Sequence, residues 1–302
     1  MTNKYNEVDF NMHFKEYKRI LSPQNGINVY RGCTHGCIYC DTRSKCYQFD
    51  HEFTDIEVKL NAFKQLDNEL SRKKAPCMIG TGSMTDPYLH LEKELQYTRK
   101  CLEVILKHHC GMAIQTKSDL ILRDMDLLDK INKDSKCVVE VTLTTADDDL
   151  CKILEPNVCP TSKRVEILKR CKERGIKTVV WLAPFLPFIN DTKENLLKLL
   201  NYCSDNNVYG IIFFGIGLTL REGNREYFYQ KLDEHFPGLK QVYMRKYGLK
   251  YQVMSDNNEE LSKIFYEECQ KRGIVSDANM IFEYMRKYPE KYNQLSLFDD
   301  KM

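Results

Sequence analysis

"INVYRGCTHGCIYC" (27–40) runs a short apolar, β-branched stretch directly into a loop that carries cysteines at positions 33, 37 and 40. The first five residues read as a strand, and the C-x3-C-x2-C spacing places three thiolates on one tight loop at its carboxyl end. Such a loop cannot by itself enclose a tetrahedral zinc ion. No nearby C-x-x-C or H-x-x-x-H pair supplies a fourth ligand, although His35 could be proposed for it. Three cysteinates on three irons of a [4Fe–4S] cube leave one iron open, which suits a cluster that must bind another molecule. Gly32 and Gly36 would let the backbone wrap closely around the cube.

Outward from this loop, apolar β-branched runs alternate with longer amphipathic stretches. Further strands are expected at 77–82, 111–117, 137–143, 177–183 and 209–215, with helical patterns between them, for example over 91–109 and 192–206. Six βα units in series imply an α/β fold with a parallel sheet and helices outside it, either doubly wound or a curved partial barrel. In both, reactive groups collect at the carboxyl ends of the strands. The unusual residues follow that rule: "SMTDPY" after the second strand, "KSD" after the third, "TT" after the fourth and "PFLPFIND" after the fifth. The expected division is an N-terminal segment (1–22), the barrel (23–236), a small C-terminal extension (237–290) and a tail (291–302). Within the extension, 241–248 reads as a short strand, and 258–272 and 279–288 as helices.

The chain of 302 residues is 42% hydrophobic, enough for a large core. Lys and Arg number 45 against 43 Asp and Glu, a net charge of +2, so no global field drives adhesion to a polyanion. Any nucleic acid must be met by a local patch. The opening residues carry no apolar h-region and no stretch is long enough to span a bilayer, so a cytoplasmic location without membrane contact is expected. Thirteen cysteines fit a reducing compartment in which thiols stay free or bind metal.

The C-x3-C-x2-C loop with Tyr39 just before its last cysteine, followed by a βα series, resembles the radical S-adenosylmethionine (SAM) superfamily. "GSMTDPY" (82–88), "TKSDLILRDMDLL" (116–128), "LTT" (143–145) followed by "LEP" (154–156) and Arg164, and "APFLPFIND" (183–191) resemble its spore photoproduct lyase branch of DNA repair proteins over about residues 20–220. The resemblance implies a partial (β/α)6 barrel. It implies a [4Fe–4S] cluster on Cys33, Cys37 and Cys40 whose open iron chelates SAM, an external electron donor, and reductive cleavage of SAM to a radical that takes hydrogen from a substrate. It also implies that Lys117 pairs with the methionyl carboxylate. Ser83, Thr85 and Asp86 offer acceptors for the ammonium, Thr142 and Thr144 hydroxyls for the ribose, and Tyr39 and Gly215 surfaces for adenine; Arg164 belongs to the same cofactor-binding set.

Two positions depart from that branch. Ser83 stands where the lyase has its hydrogen-donating cysteine, and Asp41 where it has a tyrosine, which implies the same radical generator with another terminal step or substrate. Cys46 is a candidate substitute donor, with a buried structural thiol as the alternative. Damaged or modified DNA is the favoured substrate, with RNA, a peptide or a metabolite as the alternative, and a metal-stabilised binding module as a non-catalytic one. DNA is favoured by "YMRKYGLKY" (243–251), in which Arg245, Lys246 and Lys250 could meet phosphates while Tyr247 or Tyr251 stacks on an exposed base. In the tail, Gln294, Leu295, Leu297 and Phe298 of "QLSLF" resemble the motif that docks bacterial repair proteins on the replication sliding clamp.

Overall fold

The computed structural model of the chain describes residues 11–289. Strands β1 (Met12–Lys15), β2 (Gly26–Ile27), β3 (Tyr30–Arg31) and β4 (Ile56–Lys59) open it, and of these only β2 joins the main sheet. β1 and β3 flank β4 in a three-stranded sheet of their own. The run 27–31, expected as one strand, therefore divides. Gly26 and Ile27 pair with Gly80 and Thr81, whereas Tyr30 and Arg31 turn away to pair with Val58 and Glu57. The deciding partner lies beyond the cysteine loop, where a local pattern cannot register it.

The chain continues through α1 (Ala62–Leu70), β5 (Met78–Thr81), α2 (Glu92–Leu95), α3 (Tyr97–Lys107), β6 (Gly111–Thr116), α4 (Met125–Asp134), β7 (Cys137–Thr142), α5 (Asp148–Leu154), α6 (Thr161–Glu173), β8 (Lys177–Trp181), α7 (Lys193–Asp205) and β9 (Gly210–Ile212). The main sheet runs β2-β5-β6-β7-β8-β9, every neighbouring pair parallel, as a partial (β/α)6 barrel. Side chains alternate between its faces. Ile79, Ile114, Val139, Val180 and Ile211 pack outward in the helix-covered core, while Met78, Ala113, Val138, Val179 and Ile212 form a second cluster on the inner face.

The single helix expected over 91–109 is interrupted at Gln96, which adopts φ +53°. The cause is the buried Glu92, whose carboxylate accepts from the Tyr97 and Thr98 amides at 3.0 and 3.1 Å and so starts a new helix.

Past the barrel come β10 (Gly217–Thr219), α8 (Asn224–His235), α9 (Leu239–Tyr247), β11 (Gln252–Met254), α10 (Asn258–Arg272) and α11 (Ala278–Arg286). The strand expected over 241–248 is thus helical. Tyr243 and Tyr247, one turn apart, bury together with Phe228 and Leu232, a period of 3.6 rather than 2. The helices expected over 258–272 and 279–288 are α10 and α11. α11 turns Ile281 and Met285 into the inner cluster and floors the half-barrel. Gly210 makes room for it: a Cβ there would stand 2.8 Å from the Ile281 side chain.

Candidate active site

The cysteine loop is clamped from both sides. On one side Cys33 N–H donates to Phe53 O at 3.0 Å; on the other, Ile38 N–H donates to Leu154 O at 2.9 Å, and Asn157 reaches His35 O and Thr34 O at 3.1 and 2.9 Å. Gly32 and Gly36 adopt φ +93° and +72°. A Cβ on Gly32 would lie 2.7 Å from Phe53 O, so close approach as well as φ requires glycine there, and φ requires it at Gly36, where a Cβ would lie 3.0 Å from Asn157 Nδ2. Cys37 is buried, Cys33 and Cys40 half-buried.

The three sulfurs do not all lie within 4.8 Å of one another. A single zinc ion with bonds of roughly 2.3 Å would draw its thiolates to about 3.8 Å. A cube would hold each of the three thiolates on a different iron. Burial, with Cys40 adding to it, pushes the Cys33 thiol up to about 12, so a bound metal cation is what would hold it as a thiolate here. His35 is pushed down to about 4 by burial and stays neutral.

A second shell of polar contacts sets the lysine of "TKSD". Asp86 accepts from Tyr88 N–H at 2.8 Å and Thr116 Oγ1 at 2.7 Å through one oxygen, and from Lys117 N–H at 2.8 Å through the other. Thr85 Oγ1 donates to Gly32 O at 2.5 Å. These two residues, expected among acceptors for a ligand, therefore tie the "TDPY" loop to the cysteine loop and to Lys117. Burial works against the Lys117 ammonium, yet Cys37 and Glu155 hold its pKa above the ordinary lysine value.

Beneath the cysteine loop, Arg164 is fully buried with Nη2 2.5 Å from Glu155 Oε2, and donates to Cys159 O at 3.0 Å and Thr142 O at 3.1 Å. Glu155 also accepts from Tyr39 OH. Burial raises the Glu155 pKa, and Arg164 followed by Lys117 outweighs it, leaving the carboxyl below its usual range. Arg164, expected in the cofactor-binding set, is thus committed to this internal network by Glu155, which only the fold brings to it, while the Tyr39 bond engages the hydroxyl and not the ring face expected beside adenine.

The hydroxyls of Thr34, Thr142 and Thr144 are buried without a hydrogen-bond partner among the described residues. Buried polar atoms are rarely left so, and three of them around one loop fit a polar ligand. The thiols, both glycines, Lys117 and these hydroxyls together fit an iron–sulfur cluster and SAM.

Below that layer, on the inner face, lies a cavity of about 630 Å³ lined among others by Asn28, Ser83, Gln115, Glu140, Trp181 and Arg286. Trp181 Nε1 donates to Glu140 at 2.7 Å, and its ring meets Phe282 and Phe214 with centroids 5.9 and 6.1 Å apart. Burial raises the Glu140 carboxyl to about 7. Glu140 and Trp181 escaped the sequence reading. The clue was present: a carboxylate inside an otherwise apolar strand, "CVVEVTL", on the side facing inward.

Other expected residues fall elsewhere. Gly215 turns the chain after β9 at φ +92°, its amide neighbour Ile216 donating to Asn258 Oδ1 at 2.8 Å. Cys46, for which a buried thiol was an alternative, is exposed; its sulfur accepts from Arg221 at 3.1 Å, and the same guanidinium lies 3.4 Å from Tyr47 OH. Tyr247 cannot stack on a base: it is buried, donating to Met254 O at 2.9 Å. Lys246 pairs with Asp256 and stands over the exposed Phe188 ring, while Arg245 and Lys250 face solvent on α9 and the turn after it. Gln294, Leu295, Leu297 and Phe298 lie outside the described residues. Among the described residues, no helix is long and apolar enough to cross a membrane.

A half-barrel that presents three loop cysteines and a set of unpartnered hydroxyls at the carboxyl ends of its strands defines a class of cluster-dependent enzymes. Residues 27–202 match the Radical SAM superfamily, and the chain belongs to that family; it is a radical SAM enzyme whose cofactors are a [4Fe–4S] cluster and SAM. It is 30% identical over 250 residues, 82% of this chain and 88% of the other, to an uncharacterized protein of Methanocaldococcus jannaschii. It is 24% identical over 178 residues to the radical SAM Nalpha-GlyT isomerase of Pseudomonas phage M6, covering 58% of this chain and 36% of that one. The fold is similar to that of spore photoproduct lyase complexed with dinucleoside spore photoproduct, with TM-score 0.63 and 15% identity over 88% of this chain and 81% of the lyase.

Proposed function

We propose that this enzyme abstracts hydrogen from a damaged or modified base of DNA, presented unstacked at the mouth of the half-barrel. The observation that carries the reading is the cavity below the cofactor layer. Its Trp181 and Phe282 rings offer flat faces, and Glu140, Gln115 and Asn28 offer the donors and acceptors that read a heterocycle edge. Phe214, 63% exposed, touches Trp181 and leads from the rim into the cavity. Phe188, Lys246, Arg245 and Lys250 supply aromatic and cationic groups on the surface, in place of the buried Tyr247. The lyase complexed with a dinucleoside spore photoproduct supports the same substrate class.

When bound, the cluster and SAM supply the hydrogen-abstracting radical. Lys117 would take the carboxylate of SAM, Ser83 and the last lone pair of Asp86 its ammonium, and Thr142 and Thr144 its ribose; the Glu155–Arg164 pair holds the loop beneath. Ser83 in place of a thiol argues against spore photoproduct lyase activity. A thiol and a phenol do meet at Arg221, where Cys46 and Tyr47 form the alternative hydrogen donor, and Tyr47 lines a smaller cavity that shares Asn28 with the main one.

The test is anaerobic reconstitution with iron, sulfide, reductant and SAM against a panel of modified and damaged oligonucleotides. One of them is expected to accelerate SAM cleavage and to exchange deuterium with 5′-deoxyadenosine. Trp181→Ala should abolish that acceleration and spare the slow cleavage seen without substrate. Acceleration by RNA or a peptide, and by no oligonucleotide of the panel, would move the substrate to another class.

A further inference from the structure

Next to the cysteine loop, three side chains from separate parts of the first 60 residues converge. His13 on β1 and Glu57 on β4 are register partners across the parallel pair, and His51 comes from the loop before β4. One nitrogen of each histidine and one carboxylate oxygen all lie within 4.8 Å of one another, and among the described residues this is the one group of metal-ligating side chains so arranged. His13 Nε2 is 3.8 Å from Glu57 Oε2, and the two imidazoles meet edge to face with centroids 4.9 Å apart.

Two observations distinguish the cluster from a chance meeting of surface groups. First, the glutamate is 99% buried, with Tyr17 OH donating to its Oε1 and the half-exposed Lys15 ammonium beside its Oε2, and His51 Nε2, also buried, has no hydrogen-bond partner among the described residues. An orphaned ring nitrogen of that kind, facing a buried carboxylate, is costly unless something occupies the space beside it. Second, the far side of each ring is already held. His13 Nδ1 lies 3.1 Å from Asp55 Oδ2, and His51 Nδ1 lies 3.0 Å from Glu52 O. A carbonyl oxygen can only accept, so His51 Nδ1 donates outward and its Nε2 faces the group; the Asp55 carboxylate holds the His13 ring the same way. This is the outer-shell arrangement that orients imidazoles toward a metal.

We propose that His13, His51 and Glu57 bind a divalent transition-metal ion of the zinc class, separate from the cluster on Cys33, Cys37 and Cys40. Two imidazoles and a carboxylate are a borderline donor set that suits zinc, with the fourth position left to water or to Asp50, whose Oδ1 is 4.0 Å from His51 Nε2. Lys15 competes: its Nζ stands 3.1 Å from Glu57 Oε2, a monovalent cation where the metal charge would lie. That side chain is about half exposed and can leave into water. The ion would join β1 to the loop whose Phe53 carbonyl receives the Cys33 amide, and so brace the cysteine loop from outside.

The experiment titrates the cluster-loaded full chain anaerobically with Zn²⁺, and with Co²⁺ as its spectroscopic substitute. One ion per chain is expected, with a cobalt spectrum free of thiolate charge-transfer bands. His51→Ala and Glu57→Gln should each weaken zinc more than about 100-fold, Asp55→Asn about 10- to 100-fold, and Lys15→Met should tighten it. Iron and sulfide content should be unchanged in the Glu57→Gln and Lys15→Met chains, and the Cys33/Cys37/Cys40→Ala chain should still take up one zinc. Binding that survives His51→Ala and Glu57→Gln, thiolate bands in the cobalt spectrum, or no stoichiometric uptake by the wild-type chain would each overturn the site and leave the radical SAM chemistry untouched.

Discussion

At the scale of single residues, Glu140 is the group whose charge the fold disturbs in the most consequential place. It is a carboxyl in the inner cavity, answered by one indole N–H, with its pKa raised to about 7 by burial. Between the ordinary carboxyl value and about 7 the native state binds the proton that the unfolded state has released. Stability therefore falls as pH rises through that window, by about 3 kcal/mol in all, and the full cost is present above it. Glu140→Gln keeps an acceptor for Trp181 and carries no charge. Urea unfolding of the cluster-free chain between about pH 5 and pH 8 should show this decline for the wild type and little of it for the variant; equal slopes in the two would exclude Glu140 as its source.

At the scale of elements, the cysteine loop is built by its neighbours as much as by its own sequence. The segment 154–157 and Phe53 hold it through backbone carbonyls and amides, and Gly36 sits at φ +72° with Asn157 and Pro156 side-chain atoms 3.0 and 3.1 Å from where a Cβ would stand. Gly36→Ala adds about 1–2 kcal/mol for the left-handed backbone, with the tight contact on top. That strain falls on the loop rather than on the barrel core. The expected result is a folded chain with normal far-ultraviolet dichroism and much less than one cluster per chain by iron and sulfide analysis. Full cluster content in Gly36→Ala would mean that the loop adjusts. The α2–α3 break and the helical α9 belong to this scale as well: a buried carboxylate starts one helix, and a buried tyrosine pair selects the other.

At the scale of the whole molecule, the C-terminal residues complete the barrel instead of standing apart from it. α10 packs its Leu261, Phe265 and Cys269 into the same core as α7, and α11 closes the inner face below the cavity. Ile281 is fully buried there among Met78, Ala113, Val138 and Val179, residues of four different strands. Ile281→Ala should cost about 2–5 kcal/mol in urea unfolding, because strands held on their outer faces cannot collapse into the space left behind. Cluster content should stay unchanged, since the helix lies at the end of the barrel remote from the cysteines. A loss under 1 kcal/mol would show that α11 is a loosely applied lid.

What the sequence by itself determined were the features written in short-range spacing: the three cysteines on one loop, the six βα alternations that became a partial barrel, the loops that carry "TDPY" and "TKSD", and with them the family and its cofactors. Spacing reports which residues share a face or a loop, and for those features nothing more was needed. What only the tertiary structure decided were partnerships between residues far apart in the chain: the split of 27–31 by β4, the capture of Arg164 and Tyr39 by Glu155, the commitment of Asp86 to Lys117, the burial of Tyr247 and exposure of Cys46, the meeting of Glu140 with Trp181 over a floor made by α11, and the convergence of His13, His51 and Glu57. The physical reason is common to all of them. A side chain's periodicity records that it is buried or polar, whereas its role depends on which group the folded chain places against it.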